Sequence, residues 1–339
     1  MSSGSERNDA GAAVNSSYRE RSSGFASRAA AMSSPSWPAV TVAVLVLAGA
    51  AIAMLALLLR AGGSFVAPRH SGFLIAEGLR GPVSIVCSAG TVYVSDPGAG
   101  LVMAHAVDGE STRTIAPRSY GTEGFLVPGQ LCAYEGGVLV ADPSQRQVFY
   151  YDRHGCCGSA FIESDMPVDF RPDALGAFSD GRVVVADNSA HRLYVFGPDG
   201  RLRNVIGGEI EEGGQKRAVF AHCSGLVVRG AYIYVLDSDR LEILVVDARG
   251  TYRRRVPLRV PRRDVGYVSG LALKGSHVLV ADALLSRVYD FDATGRLTGT
   301  FGESLDQKKQ VVGPVSLALC GSKLFVVEKA AGRVSIWSW

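Results

Sequence analysis

Histidine is scarce in this 339-residue chain, and the short motifs of several common enzyme classes are missing. There is no CxxC pair, no glycine-rich phosphate loop, no dinucleotide fingerprint and no G-x-S-x-G nucleophile motif. These absences exclude the types of site that such motifs define. The six histidines do not cluster in the sequence; they are His70, His105, His154, His191, His222 and His277.

An excess of charge of one sign is also lacking. Lysine and arginine total 35 and aspartate and glutamate 32, which gives a formal net charge of +3. The first 70 residues hold six arginines and three acidic residues, so the rest of the chain carries 29 charges of each sign. A neutral domain has no general electrostatic attraction for nucleic acid. We expect no nucleic-acid partner.

The N-terminal region is first poor and then rich in large apolar side chains. Residues 1–36 cannot build a core and are predicted to form a disordered tail. The run from Ala39 to Leu59 carries no charge, and a helix of this length spans the roughly 30 Å hydrocarbon core of a bilayer. We therefore predict a transmembrane helix over residues 37–60, followed by a linker over residues 61–70.

The flanks of this apolar run bear on its processing and orientation. A cleaved signal peptide is the alternative, but the tail ahead of the run is too long for one and Pro68 follows the best cleavage motif. Arginines are denser before the run than after it: Arg7, Arg19, Arg21 and Arg28 precede it, and Arg60 and Arg69 follow it. The flank with the excess of positive charge stays on the cytoplasmic side. We therefore predict a single-pass protein of the cell membrane that contacts the bilayer through this helix. Its N-terminus is expected in the cytoplasm and the domain that follows the helix outside.

The rest of the chain is a repeat. An aspartate ends each of five strand-like apolar runs, and a glycine follows it thirteen positions later. The pairs are Asp96 and Gly109, Asp142 and Gly155, Asp187 and Gly200, Asp237 and Gly250, and Asp282 and Gly295. A sixth run, LFVVE, ends at Glu328. Repeats with four short strands each are typical of propeller blades, so residues 71–339 are predicted to form an all-β, six-bladed β-propeller.

Two details of the repeat lead to structural predictions. The last repeat stops without an outer strand, whereas Gly72–Gly78, ahead of the first repeat, looks like an unpaired outer strand. Pairing between the two would close the ring and remove two exposed edges. The carboxylate that ends each apolar run is expected to accept backbone N–H bonds and hold the following turn shut.

The repeat resembles that of the NHL family, six-bladed propellers whose units combine a P-x-G-L start, a strand ending in V-A-D, an N-x-R-I segment and an F-x-x-x-G end. The most similar unit in this chain runs from Arg171-Pro-Asp-Ala-Leu175 through VVVAD, NSAHRLYVF and PDG to Gly207. The resemblance covers roughly residues 71–339 and implies the propeller fold. It does not select a function, because one propeller fold serves enzymes, adhesion modules and sensors.

Zinc lyases with a similar propeller, the peptidylglycine amidating lyases, carry metal-binding histidines at the second place of each P-x-G-L-like start. The corresponding column in this chain reads Val83, Gly129, Asp173, Ser224, Ser269 and Val315. It contains no histidine, and a catalytic zinc takes three protein ligands. Its single carboxylate, with neighbouring oxygen donors at Ser84, Gln130 and Ser316, is also too little for a calcium site. We therefore predict no metal and no cofactor.

An enzyme of the lyase or hydrolase type remains the alternative function. Its site would lie at the mouth of the central channel, where the available polar residues are Gln130, Asp173, His222, Ser224 and Ser269. A lone histidine such as His222 is more often hydrogen-bonded within the fold than catalytic. His191 lies in the segment NSAHR, and a structural role is favoured there too.

The cysteines are predicted to be of two kinds. Cys87, Cys132, Cys223 and Cys320 lie in or at the ends of apolar strands and are expected to behave as small buried hydrophobic residues. Cys156 and Cys157 are adjacent in a hairpin segment, where a redox role and an incidental role are both open, with the incidental role favoured.

Arginines are concentrated in one segment, which contains Arg253, Arg254, Arg255, Arg259, Arg262 and Arg263. One hypothesis is a basic stripe that contacts anionic lipid headgroups or an acidic partner. The favoured alternative is protection of an exposed outer strand against edge-to-edge pairing.

Three loops between predicted blades are long, namely Pro117–Val127, Glu209–Ala221 and Glu303–Val312. Propeller topology places them on one face, together with three turn residues. The expected binding residues on this face are Tyr120, Glu123, Phe125, Arg146, His191, Glu211, Lys216, Arg217, Phe220 and Arg240. Exposed aromatic side chains beside both signs of charge are typical of a recognition surface, although tolerated surface insertions would look the same. The leading hypothesis is a membrane-anchored, extracytoplasmic propeller that acts as a binding, scaffold or sensor module for a protein or other ligand.

Overall fold

A computed structural model describes residues 65–107, 111–115, 124–155, 158–212, 215–304, 306 and 309–339, without the side chains of residues 209–212, 215–217 and 262. The predicted tail and the predicted transmembrane helix lie outside these residues. Within the described part of the chain, no helix is long and apolar enough to cross a membrane.

The described residues form six four-stranded antiparallel sheets, which we call blades one to six. In each blade the strands follow one another from the innermost to the outermost. Blade one is β2 (Ser84–Ser88), β3 (Thr91–Asp96), β4 (Leu101–Ala106) and β5 (Thr112–Ile115); blade two is β6 (Leu131–Tyr134), β7 (Gly137–Asp142), β8 (Gln147–Tyr151) and β9 (Ser159–Ala160); blade three is β10 (Ala174–Ala177), β11 (Val183–Asp187), β12 (Arg192–Phe196) and β13 (Leu202–Gly207). Blade four is β16 (Cys223–Arg229), β17 (Tyr232–Asp237), β18 (Glu242–Asp247) and β19 (Tyr252–Pro257); blade five is β20 (Val268–Lys274), β21 (His277–Asp282), β22 (Arg287–Phe291) and β23 (Leu297–Phe301); blade six is β24 (Pro314–Cys320), β25 (Lys323–Glu328), β26 (Arg333–Ser338) and β1 (Arg69–Ile75).

Three smaller elements complete the described fold. A two-stranded hairpin, β14 (Glu209–Glu212) with β15 (Gln215–Ala218), lies between blades three and four. One short 3-10 helix, Arg262–Asp264, lies between blades four and five, and another, Lys329–Ala331, connects β25 to β26 within blade six.

The core is divided into layers between neighbouring blades. The second strand of each blade is a near-continuous apolar run; in β7, for example, every residue is buried. Such runs form because both faces of a blade pack against another blade, so neither face can be polar. Six apolar clusters fill the six gaps, and the last of them joins blade six to blade one. The innermost strands also contact one another around the whole ring, including β24 with β2.

The ring closes as predicted, through the N-terminal strand. β1 pairs antiparallel with β26 from Arg69 opposite Ser338 to Ile75 opposite Val334. The strand begins three residues before the predicted Gly72, and Ile75 is buried in the cluster between blades six and one. The outer edge of blade six is therefore supplied by the opposite end of the domain.

The five repeated aspartates hold the turns that follow them, as predicted: each accepts a hydrogen bond from a backbone N–H two or three residues later. A second contact, with the loop ahead of the blade, was not predicted. Asp96, Asp142, Asp187, Asp237, Asp282 and Glu328 are each at most 1 % exposed. Each accepts a hydrogen bond from the backbone N–H sixteen residues earlier, in the loop that leads into its own blade. The pairs are Arg80 with Asp96 (2.7 Å), Leu126 with Asp142 (2.6 Å), Arg171 with Asp187 (3.2 Å), Ala221 with Asp237 (2.8 Å), Gly266 with Asp282 (2.7 Å) and Val312 with Glu328 (3.0 Å). We call these six contacts the carboxylate clips.

Two of the cysteines depart from the prediction. Cys87 of β2 and Cys320 of β24 form a disulfide, with Cα atoms 5.8 Å apart and a separation of 233 positions in sequence. Their assignment as small buried hydrophobic residues was wrong, because ring closure places the innermost strands of the first and last blades side by side. Cys132 and Cys223 are free and buried as expected, and burial raises the pKa of the Cys132 thiol to about 12. Cys156 and Cys157 lie outside the described residues.

Replacing either disulfide cysteine by serine is expected to lower the free energy of unfolding by roughly 2–5 kcal/mol, because the bridge closes a very long loop in the unfolded chain. The measurement is chemical denaturation of Cys87→Ser, Cys320→Ser and the double variant. All three variants should lose the same free energy of unfolding, because the bridge needs both sulfur atoms. Losses that simply add in the double variant, or no loss at all, would contradict the bridge.

Candidate functional site

The meander of each blade gives the ring two unlike faces. The loops between blades and the turns after the clip carboxylates lie at one end of the strands, which we call the loop face. The turns between the first and second strands of each blade lie at the other end, which we call the hairpin face. The central channel runs between the two.

The channel holds a cavity of about 250 Å³, lined by all six innermost strands. Its predicted oxygen donors are largely used to join blades. The Ser84 hydroxyl accepts the Leu131 N–H at 3.0 Å, and the Ser269 hydroxyl donates to the Pro314 carbonyl at 3.3 Å. The Ser316 hydroxyl accepts the N–H of Ile85 at 3.2 Å. These serines join neighbouring blades by hydrogen bonds, and this structural role accounts for their presence.

Asp173 and His222 directly precede the innermost strands of two adjacent blades, at the loop-face ends of β10 and β16. Burial raises the pKa of Asp173, opposed by the N–H of Asn188 at 2.9 Å and by the nearby charges of Arg171 and His222. The Asn188 side chain in turn accepts the Cys223 N–H at 2.7 Å and donates to the Cys223 carbonyl at 3.1 Å. Asp173 therefore supports a bridge between blades three and four.

The remaining channel-mouth residues add little chemistry. Gln130 and Ser224 line the cavity, and the Ser224 hydroxyl donates to the Leu236 carbonyl at 3.5 Å. Across the residues that the structure describes, no group of three or more histidine, cysteine, aspartate or glutamate side chains could hold a metal ion. Asp173 with His222 offers two side chains, whereas a catalytic zinc takes three protein ligands.

The prediction that Phe125 and Phe220 are exposed aromatic anchors on the loop face is wrong. Phe125 and Phe220 are both 0 % exposed. Phe125 packs edge-on against Tyr151 with ring centres 5.5 Å apart, and Phe220 packs against His191 at 6.3 Å. Each loop aromatic fills the gap between two blades, because a long loop crossing that gap must cover the apolar cluster beneath it.

The three predicted turn residues have different roles. Arg240 is 16 % exposed; it pairs with Asp237 at 3.3 Å and donates to the carbonyls of Ala218 and Val219, so it is structural. Arg146 is exposed and donates to the Val168 carbonyl at 2.8 Å. His191 is exposed above Phe220. Of the other predicted residues, Tyr120 and Glu123 lie outside the described residues, and Glu211, Lys216 and Arg217 are described only as backbone of the β14–β15 hairpin.

The loop face does expose large apolar side chains, but different ones. Leu126, Val127, Val168, Tyr267 and Leu284 are between 42 % and 87 % exposed. The first four lie in loops between blades, and Leu284 lies in the turn after Asp282. A sequence signal existed for Leu284: the second residue after the other clip carboxylates is Gly98, Ser144, Ser189, Asp239 or Ala330. The other repeats have a small or polar residue at this position, so a leucine there indicates an exposed side chain that is not needed for packing.

The arginine-rich segment is partly neutralised within the fold. Arg253 pairs with Asp247 at 2.9 Å, and Arg255 forms a buried ion pair with Glu242 and donates to the Val219 carbonyl at 2.9 Å. Both arginines therefore serve the outer strand of blade four. Arg254, between them, pairs with no carboxylate in the described part of the chain.

No protein-family model and no curated protein matches the sequence. The fold is similar to solved propellers of different roles. A gluconolactonase from Xanthomonas campestris is 15 % identical, with 81 % of this chain and 95 % of that chain covered and a TM-score of 0.58. Virginiamycin B lyase from Staphylococcus aureus is 11 % identical, with 78 % of this chain and 97 % of that chain covered and a TM-score of 0.57. A chain of the nidogen/laminin complex is 13 % identical, with 70 % and 84 % covered and a TM-score of 0.52.

At these identities the likeness establishes the six-bladed propeller fold alone. Membership of the NHL family is not confirmed. The fold is shared by enzymes and by a chain from a protein complex, so the function must be argued from this chain's own surface.

Proposed function

We propose that the propeller is a binding module that holds a protein partner against its loop face. The observation that carries this proposal is the set of exposed apolar side chains on that face: Leu126, Val127, Val168, Tyr267 and Leu284. Exposed apolar groups gathered on one face, at positions that the fold does not use, are typical of protein-binding surfaces. Arg146 and His191 add exposed polar groups to the same face, and arginine beside tyrosine and aliphatic side chains is a common interface composition.

The enzyme alternative has weaker support. Its channel-mouth residues already have structural partners: Asp173 holds the Asn188 backbone, and Ser269 joins blades five and six. The raised pKa of Asp173 is explained by burial beside that bridge. The gluconolactonase and the lyase among the similar structures are at most 15 % identical to this chain, so they support the fold and not an activity.

Attachment outside the cell membrane is part of the same proposal. The uncharged run from Ala39 to Leu59 supports an anchor. The bridge between Cys87 and Cys320 supports an oxidising compartment, because disulfides are rarely stable in a reducing cytosol. An anchored module of this kind would act as a scaffold or sensor for a partner in the envelope.

Replacing Val168, Tyr267 and Leu284 by serine is expected to weaken partner binding by tenfold or more, because truncating one interface anchor typically costs about 2 kcal/mol. The measurement is photo-crosslinking in the native host, with a photoreactive amino acid at position 126 of the full chain. One recurrent crosslinked protein should appear in the parent chain and be lost in the triple serine variant.

The matched control replaces Tyr232 and Tyr252 by serine, since both are exposed large side chains away from the loop face. That variant should keep the crosslink. Loss of the crosslink in the control and its survival in the loop-face variant would move the interface elsewhere. Crosslinks that vary between preparations would count against a binding role for this face.

A further inference from the structure

A groove between blades four and five opens on the hairpin face, away from the loop face and from the channel. Its volume is about 240 Å³. The floor is aliphatic and consists of side chains that are almost fully buried: Ile243, Val245, Val256, Leu273 and Val278. These residues belong to the cluster that fills the gap between the two blades. The groove therefore lies directly over that apolar layer.

The rim of the groove is polar and carries one sign of charge. Arg229, Arg254, Tyr234, Ser276 and His277 line it, and no acidic residue of the described part of the chain does. Arg229 donates to the backbone carbonyls of Leu273 and Gly275, which fix its guanidinium at the mouth. Arg254 makes a long contact of 3.5 Å with the Ala293 carbonyl. Neither arginine has a carboxylate partner within the described part of the chain.

This lack of partners contrasts with the neighbouring positions of the same strand. Arg253 and Arg255 flank Arg254 on β19, and they pair with the carboxylates of Asp247 and Glu242. Neither of them lines the groove. The guanidinium groups of Arg229 and Arg254, which have no carboxylate partner among the described residues, give the groove a positive rim.

His277 is held in a fixed orientation at the same rim. Its Nδ1 lies 2.6 Å from Oδ1 of Asp290, which is 5 % exposed. The Asp290 backbone carbonyl accepts the Thr298 hydroxyl at 2.8 Å, which secures the strand that carries the carboxylate. Because Nδ1 is occupied, Nε2 is the imidazole nitrogen available to a molecule in the groove.

We propose that this groove binds a small amphipathic anion, namely a carboxylate with a short aliphatic tail. The tail lies on the aliphatic floor, and the carboxylate lies between the guanidinium groups of Arg254 and Arg229. Charge complementarity selects the anion, since arginine presents several donors in a geometry that suits a carboxylate. The groove volume of about 240 Å³ suits a small ligand with a short tail. The site is independent of the loop-face proposal, because it lies at the other end of the strands.

The test uses the full chain in lipid nanodiscs and equilibrium dialysis, with empty nanodiscs as the reference for partition into lipid. Three radiolabelled probes separate the contributions: octanoate has both head and tail, acetate has only the head, and octylammonium has the tail with the opposite charge. We expect one saturable equivalent of octanoate and no saturable binding of the other two.

Arg254→Ala should weaken octanoate binding by about tenfold or more, because hydrogen bonds to charged groups are among the stronger ones. Arg253→Ala is the matched control, because Arg253 is next to Arg254 on the same strand but pairs with Asp247 and does not line the groove; this variant should bind octanoate as the parent does. Absence of saturable octanoate binding, equal binding of octylammonium, or an equal loss in both variants would overturn the proposal. None of these outcomes would affect the loop-face crosslink, so the two proposals fail separately.

Discussion

Deleting residues 64–78 is expected to abolish cooperative unfolding of the domain and to drive it into aggregates. This deletion removes β1, which supplies the outer edge of blade six and places Ile75 in the cluster between blades six and one. Without it, the edge of β26 would present unpaired backbone groups that can pair with another chain. The measurement is the thermal melt by circular dichroism, together with size-exclusion chromatography of the same sample.

A deletion of equal length within the predicted tail, residues 10–24, is the control and should leave the melt unchanged. A second arm adds a synthetic peptide of residues 64–78 to the deleted chain during refolding, and partial recovery of soluble monomer is expected. A monomer that melts at the parent temperature without β1 would show that closure does not depend on this strand.

Asp142→Ala is expected to destabilise the domain by roughly 3 kcal/mol or more, the largest effect of any single clip carboxylate. Its Oδ2 accepts the N–H groups of Leu126 and Val127 at 2.6 and 3.0 Å and the side-chain amide of Gln145 at 2.9 Å, while its Oδ1 accepts the N–H of Ser144 at 2.9 Å. Removing the carboxylate leaves several partly buried N–H groups without an acceptor, and each one costs about 1–3 kcal/mol. Denaturant titration of the purified protein measures the loss.

The stability that the Asp142 carboxylate contributes depends on pH. Burial alone would raise the pKa of Asp142, but hydrogen bonds from Ser144, Gln145 and the N–H groups of Val127 and Leu126 outweigh it, so the pKa lies below its ordinary value of 3.8. A lowered folded pKa stabilises the protein above the unfolded pKa, and that stability is lost as the pH falls through the folded value. The destabilisation caused by Asp142→Ala should therefore be full at neutral pH and shrink below about pH 4.

Asp180→Ala is the matched control for this carboxylate. Asp180 is exposed and pairs on the surface with Arg182 at 2.8 Å, and exposed pairs contribute little to stability. Its denaturation midpoint should stay close to that of the parent. A similar loss in both variants would mean that the clip is no stronger than a surface ion pair.

Much of the fold could be predicted from the sequence because the repeat is local. A carboxylate ending an apolar run and a glycine in the next hairpin recur within one blade, so Asp187 and Gly200 can be related without knowing the rest of the ring. Ring closure was also predictable, since the missing strand of the last repeat had a visible substitute at Gly72–Gly78. The bridge between Cys87 and Cys320 was not, because it joins strands that become neighbours only after closure.

The surface was harder to predict than the fold, for a different physical reason. A loop aromatic has two possible environments, and the sequence does not distinguish a side chain in solvent from one that fills a gap between blades. Phe125 and Phe220 fill such gaps, while Val168 and Tyr267, less conspicuous in the sequence, are the exposed ones. The charge at the rim of the groove was also hidden from the sequence. Arg253 and Arg255 pair with carboxylates and Arg254 has no carboxylate partner among the described residues, and this difference appears only when the strands are in place.

The carboxylate clips also determine where this protein can tolerate new sequence. Each loop is fastened at a residue just before its blade begins, so any segment upstream of that fastening point can grow without shifting the strands that follow. The β14–β15 hairpin is an instance: it is inserted ahead of Ala221, which still reaches Asp237 at 2.8 Å. Grafted loops placed ahead of Leu126, Ala221 or Gly266 should therefore leave the blades in register. A scaffold fastened in this way can change what it binds without changing how it folds.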